Sequence, residues 1–131
     1  MIMAFRVLSV LVGVAMFATG VNWHIDPAGA AGELSMTLLA GMGASTQIGD
    51  MSAFFLALGV MIGLGQRHGQ TTWLNAAALL VGMAAIGRTL AFLMGNAPLG
   101  TGFIVPELVM AFILAMAAWT RAGESAEAPS S

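Results

Sequence analysis

"WLNAAALLVGMAAIGRTLAFLMG", Trp73 to Gly95, is the stretch whose solvent decides the fold. A helix needs about 20 mostly apolar residues to cross a bilayer, and this run supplies them with a single charge, Arg88. No other Asp, Glu, Lys or Arg lies between Arg67 and Glu107. The whole chain follows suit: of its 131 residues 59% are hydrophobic and 8% charged, with a mean hydropathy of +0.92. A soluble domain carries roughly 25% charged residues, so lipid is the expected solvent.

Three further stretches have the length and composition of spans: Ile2 to Val21, Thr46 to Gly65 and Gly102 to Thr120. Residues 1–20 also have the outline of a secretory signal, with Arg6, an apolar run from Val7 and small residues at Ala18 and Gly20. They are read here as the first span. The breaks carry loop chemistry: "NWHIDPAGAAGELS", "QRHGQTT" and "GNAPLGTG". In the first of these Asp26 can cap a short helix that Pro27 opens. The expected fold is all-α and polytopic: a four-helix transmembrane bundle over residues 1–122, with a short interfacial helix between the first two spans. The acidic tail "GESAEAPSS", residues 123–131, is expected to be disordered.

Alternating helices put Arg6, Arg67 and Arg121 on one side and Asp26 and Glu33 on the other. By the positive-inside rule both termini are then cytoplasmic, in a bacterial inner membrane. Trp23, Trp73 and Trp119 stand at span ends, where aromatic residues anchor at the interface. Small-xxx-small pairs, Gly59 with Gly63 and Ala78 with Gly82, mark expected helix-packing positions, inside the bundle rather than between copies.

Three charges on three spans fall at one depth. Arg88 lies ~10 Å below the outer end of the third span, Glu107 ~8 Å below the start of the fourth, and Asp50 ~6 Å below the start of the second. Intramembrane charges face the protein interior and pair. Thr46 and Gln47 extend the polar stripe from Asp50, and His24 stands at the outer end of the first span. Side chains lean toward their own helix N-terminus, so Asp50 and Glu107 lean outward while Arg88 must bend back to meet them. Two readings remain open: an ion-pair network that sets helix register, or a ligand pocket of Asp50, Arg88, Glu107, Gln47 and His24.

Composition excludes other chemistry. A net charge of −2 with four arginines as the only strong cations argues against a nucleic-acid partner. The absence of cysteine removes disulfides, iron–sulfur clusters and thiolate zinc sites. His24, Asp26 and Glu33 read as interfacial polar residues around a turn in preference to a metal centre, which needs three or four suitably spaced ligands, and His24 and His68 lie on opposite sides, so they cannot share a haem. "GMGAS" and "GAAG" follow no strand and carry no lysine, so they are not nucleotide loops. No cofactor is implied by motif. The eleven methionines read as adaptable packing, or as the lining of a cavity for a flat apolar ligand.

The exit from the first span through Asn22 and Trp23 to "DP", "GDMSAFFLALG" from Gly49 to Gly59, "GRTL" from Gly87 and "PELVMAFILA" from Pro106 together resemble an uncharacterised family of bacterial four-helix inner-membrane proteins, distantly like the DoxX group. The resemblance covers nearly the whole chain except the acidic tail. It implies a four-helix integral membrane fold, and the matching charged positions are Asp50, Arg88 and Glu107. Some DoxX-type relatives are small subunits of membrane oxidoreductases, but no haem, flavin or metal pattern here supports that role. The expected function is non-catalytic: an accessory or assembly subunit in the bilayer, packing against a larger membrane complex or copies of itself. The alternative is a binder, transporter or isomerase-like enzyme for a small lipophilic molecule.

Overall fold

The computed structural model describes residues 1–127, which form five helices and, among the described residues, no strand. They are α1 (Ile2–Ile25), α2 (Pro27–Glu33), α3 (Gly41–Leu64), α4 (Thr71–Leu93) and α5 (Thr101–Glu127). Four of them, α1, α3, α4 and α5, are long and apolar enough to cross a membrane. Large apolar side chains on these helices stay exposed along their length, among them Val14, Leu79, Leu93 and Phe112. An aqueous protein could not sustain so much exposed apolar surface. The chain is an all-α, multi-pass membrane protein.

Helix ends follow local chemistry. Asp26 caps α2, accepting from the Gly29 N–H at 3.0 Å, and Pro27 opens it, as expected from "DP". Gly95 takes a left-handed φ of 75° and ends α4: its N–H reaches the Phe92 carbonyl, and the Asn96 N–H reaches that of Ala91, both at 2.9 Å. That double bond is a Schellman stop. Ser35 closes α2 by the same pattern at φ 56°, a conformation that suits glycine better than serine.

Two compact units are resolved by packing, and each has its own core. One contains Leu11–Val60. Its centre is Trp23, fully buried with Ala30 and Ala31 of α2, against Leu34, Leu38, Ile48, Met51 and Phe55. This corrects the expectation that Trp23 anchors at the lipid interface. Helix α1 runs on to Ile25, which turns Trp23 inward beneath α2. In the same unit α1 and α3 touch at backbone distance. A Cβ placed on Gly59 would lie 2.6 Å from Phe17 Cβ and 2.9 Å from its Cα, and one on Gly20 would lie 2.8 Å from the Leu56 nitrogen.

The other unit joins Met1–Val10 to the chain from Met61 onward. Here α4 packs on α5, and the buried residues of the two helices are Leu74, Ala77, Val81 and Ala85 on α4 and Leu114, Ala117, Ala118 and Thr120 on α5. The alanines let two backbones approach where no hydrophobic force drives them together. The packing face of α4 therefore lies one residue around from the expected Ala78–Gly82 pair. Ala78 is half-buried, and a Cβ placed on Gly82 or on Gly63 would meet no neighbouring atom within 4 Å. Trp73 and Trp119 are exposed.

The expected tail also changes. Residues 123–127 continue α5 rather than falling into disorder; residues 128–131 of that tail lie outside the described residues. Glu124 pairs with Arg6 of α1, and Ser125 Oγ donates to the Arg121 carbonyl at 3.2 Å, so the extra turn has partners of its own.

Close approach gives the four glycines opposite expectations. Gly59→Ala and Gly20→Ala should each destabilise the protein by about 1–3 kcal/mol through overpacking. Gly63→Ala and Gly82→Ala should be neutral or stabilising by up to about 1 kcal/mol, because alanine suits a helix better. Thermal unfolding of the four variants in one mild detergent checks this; equal effects at all four positions would contradict the packing.

Candidate functional site

Arg88 and Glu107 meet across the α4–α5 seam. Arg88 sits five residues before the end of α4 and Glu107 six after the start of α5, or ~8 and ~9 Å along their helices, so antiparallel packing sets them level. Arg88 Nε donates to Glu107 Oε1 at 2.9 Å. The guanidinium carbon lies 4.7 Å from the centre of the Phe103 ring, a cation–π stack. The long side chain has bent back against its natural lean, and the contact with Phe103 and the charge of Glu107 fix it there.

The environment is asymmetric. The Glu107 side chain is 13% exposed and that of Arg88 36%. Glu107 Oε2 is buried and accepts no hydrogen bond. The pair thus holds its charges by a single directed bond, an arrangement that costs more to break on one side than to remove altogether. Pro106, just before Glu107, lies within the early part of α5 and the helix passes through it.

Residues flanking the pair in sequence line an open groove of about 180 Å³: Ala85, Ile86, Thr89 and Leu90 on α4, with Ile104 and Leu108 on α5. Thr89 Oγ1 is turned back onto the Ala85 carbonyl at 2.9 Å, so the lining is almost wholly apolar. Such a groove matches a hydrocarbon chain or a neighbouring helix rather than a polar substrate.

The remaining expected site residues are placed differently. Asp50 belongs to the other compact unit, is exposed on α3 and takes part in neither ion pair found among the described residues. Because α3 starts at Gly41, Asp50 stands ~13 Å along its helix rather than near its mouth. Gln47, 7% exposed, is committed to the backbone: Oε1 accepts from the Leu39 N–H at 2.9 Å and Nε2 donates to the Thr37 carbonyl at 3.2 Å. It supplies the non-helical segment before α3 with the partners a helix would have provided. His24 is exposed on the last turn of α1.

Phe103 is the site residue that sequence reasoning missed. Its signal was present in the spacing, since positions four apart share a helix face and Phe103 precedes Glu107 by four. No group of three or more His, Cys, Asp or Glu capable of holding a metal occurs among the described residues. No family model, curated protein or solved structure matches the chain.

The geometry makes a double-mutant cycle informative. Glu107→Leu should strand the arginine and destabilise the protein by about 1–3 kcal/mol, and Arg88→Leu should strand the carboxylate at a similar cost. The double variant should recover much of the loss, with a coupling of about 0.5–3 kcal/mol. Unfolding in mixed micelles of dodecyl maltoside and sodium dodecyl sulfate reads all four proteins. Strictly additive losses would mean the contact contributes no energy.

Proposed function

We propose that this membrane protein is a non-catalytic accessory or assembly subunit of the bacterial inner membrane, packing against a larger membrane complex or against copies of itself. The observation that carries this reading is the way Arg88 is used. Its charge is spent within the α4–α5 hairpin, on Glu107 and the Phe103 ring, where it aligns two helices. The outward faces of that hairpin are left apolar: Leu79, Met83, Ile86 and Leu90 are exposed, and Gly82 leaves room for another backbone to approach. Arg6, Arg67 and Arg121 support an orientation with both termini in the cytoplasm.

A second reading has one observation in its favour. Glu107 Oε2 is a buried acceptor without a donor, close in sequence to an apolar groove. A small lipophilic molecule with a hydroxyl or amide N–H would satisfy both, and the protein would then bind, pass or isomerise it.

Extraction from the source membrane in mild detergent, with mass spectrometry of co-purifying proteins and small molecules, separates the two. A stoichiometric membrane partner or a homo-oligomer is expected. A stable monomer with no protein partner would overturn the subunit reading. Under the second reading a well-folded Arg88→Ala variant would lose a molecule that the wild type retains.

A further inference from the structure

A second polar cluster forms where the N-terminal part of α1 and the C-terminal ends of α3 and α5 come together, away from the Arg88 pair. Arg6 of α1 pairs with Glu124 of α5. Arg121, one turn before Glu124, donates from Nη1 to the Gln66 backbone carbonyl at 2.9 Å and from Nη2 to Gln66 Oε1. Gln66 is itself held, its Nε2 donating to Ser9 Oγ at 3.2 Å and to the Ile62 carbonyl at 3.1 Å. Ser9, fully buried, donates to the Arg6 carbonyl at 2.9 Å.

The charges in this cluster do not balance. Arg121 is oriented by a neutral amide and meets no carboxylate directly among the described residues, because Glu124 is committed to Arg6. Arg67 follows Gln66 in the exposed turn after α3, a further cation near this end of the helices in sequence. Within the cluster two guanidinium groups, Arg6 and Arg121, thus stand with one carboxylate in contact, Glu124, while Glu127 lies exposed at the end of α5. The Arg6 and Glu124 side chains are each 37% exposed, so the outer side of the cluster is open. On the inner side Arg6 Nε and Arg121 Nε are buried without acceptors. Because α1, α3 and α5 are spans, their ends lie at the membrane surface. Next to the cluster Phe5 packs edge-on against Phe112, joining α1 to α5 with ring centres 6.2 Å apart. Phe112 also remains largely exposed, as hydrocarbon-facing surface.

We propose that this cluster binds the phosphate of an anionic membrane lipid, with Arg121 and Arg6 as its ligands and Glu124 as an internal competitor that occupies Arg6 until the headgroup arrives. A guanidinium offers a planar fork that matches phosphate oxygens two at a time. Basic pockets between membrane helices select anionic headgroups in this way. Gln66 holds Arg121 in place beforehand, so little ordering is left to binding. The lipid replaces the carboxylate on Arg6 and supplies the charge that Arg121 lacks, while its chains lie along the apolar flanks of α1 and α5. This assignment goes beyond the subunit role and depends only on the protein being embedded in a bilayer.

The test uses the purified full chain in mild detergent, titrated with phosphatidylglycerol, phosphatidylcholine or inorganic phosphate and read by native mass spectrometry. Phosphatidylglycerol should be retained in preference to phosphatidylcholine. Arg121→Gln should weaken its binding about fivefold, the size expected for one basic residue at a charged surface. Glu124→Gln should act in the opposite direction and tighten it, since the competitor is gone. If Arg121→Gln does not fold, as judged by its helical circular dichroism, Arg67→Gln in the exposed turn tests removal of a cation and should also weaken binding. Equal retention of the two lipids would overturn the proposal, as would weakened binding in Glu124→Gln. Displacement of phosphatidylglycerol by an equal concentration of inorganic phosphate would overturn the lipid assignment in favour of a free-anion site.

Discussion

Hydrocarbon offers no hydrogen bonds, and that constraint shapes where many polar atoms of this protein go, Asp50 on the exposed face of α3 being an exception. A span must satisfy its backbone internally, so the long elements are helices, and side-chain polar groups must find protein partners or remain at an edge. The hydroxyls of Thr19, Thr46, Thr89 and Thr120 each fold back onto a carbonyl of the preceding turn. Gln47 spends both ends of its amide on the one stretch near α3 that is not helical, and Gln66 joins three helices from a single side chain. These residues look like scattered polarity in the sequence. In the structure each closes a bond that lipid could not supply.

Packing answers the same solvent. Leucine on leucine gains little over leucine on lipid, so helices associate by bringing backbones close and matching shapes. At Gly59 and Gly20 the opposing chain occupies the place of a side chain, and the α4–α5 seam is lined with alanine. Large residues are largely sent outward, with Trp23 a clear exception. Its indole fills the space beneath α2 although its Nε1 hydrogen finds no acceptor. Volume outweighed one unmade hydrogen bond at that position.

The spans could be read from the sequence because length and hydropathy are local properties. The same holds for the Asp26 cap, which needs only the residues next to it. Other features were hidden because they depend on which face a helix turns toward its neighbour. Gly59 and Gly63 are equivalent in the sequence, yet only Gly59 meets another helix. Depth along the chain brought Arg88 and Glu107 together on paper, and consecutive helices made that level match physical. Asp50 had the same arithmetic behind it, but the arithmetic assumed that α3 begins at Thr46. Five more helical residues and the Gln47 latch alter that starting point. The last turn of α5 is hidden for a related reason: its composition suits a tail, and its partner is Arg6, at the far end of the sequence.

Arg88 is a costly residue to place in a span, and its surroundings explain why it is tolerated. A guanidinium at the centre of an isolated span costs at least about 2.5 kcal/mol on insertion scales, and Arg88, five residues from the end of α4, bears a part of that cost. Here the charge is shared between a carboxylate that is nearly buried and the face of an aromatic ring, while about a third of the side chain stays open. An apolar pair of similar volume would hold the two helices at least as tightly. What the ion pair adds is register: sliding α4 by one turn against α5 would move Arg88 ~5 Å from its partner and leave two charges in lipid. The alanines among the buried residues of α4 and α5, Ala77, Ala85, Ala117 and Ala118, distinguish poorly between neighbouring registers, since one small residue resembles the next. The charge pair supplies the discrimination that the seam lacks, and a hairpin fixed in this way presents the same outward face to whatever lies beside it in the membrane.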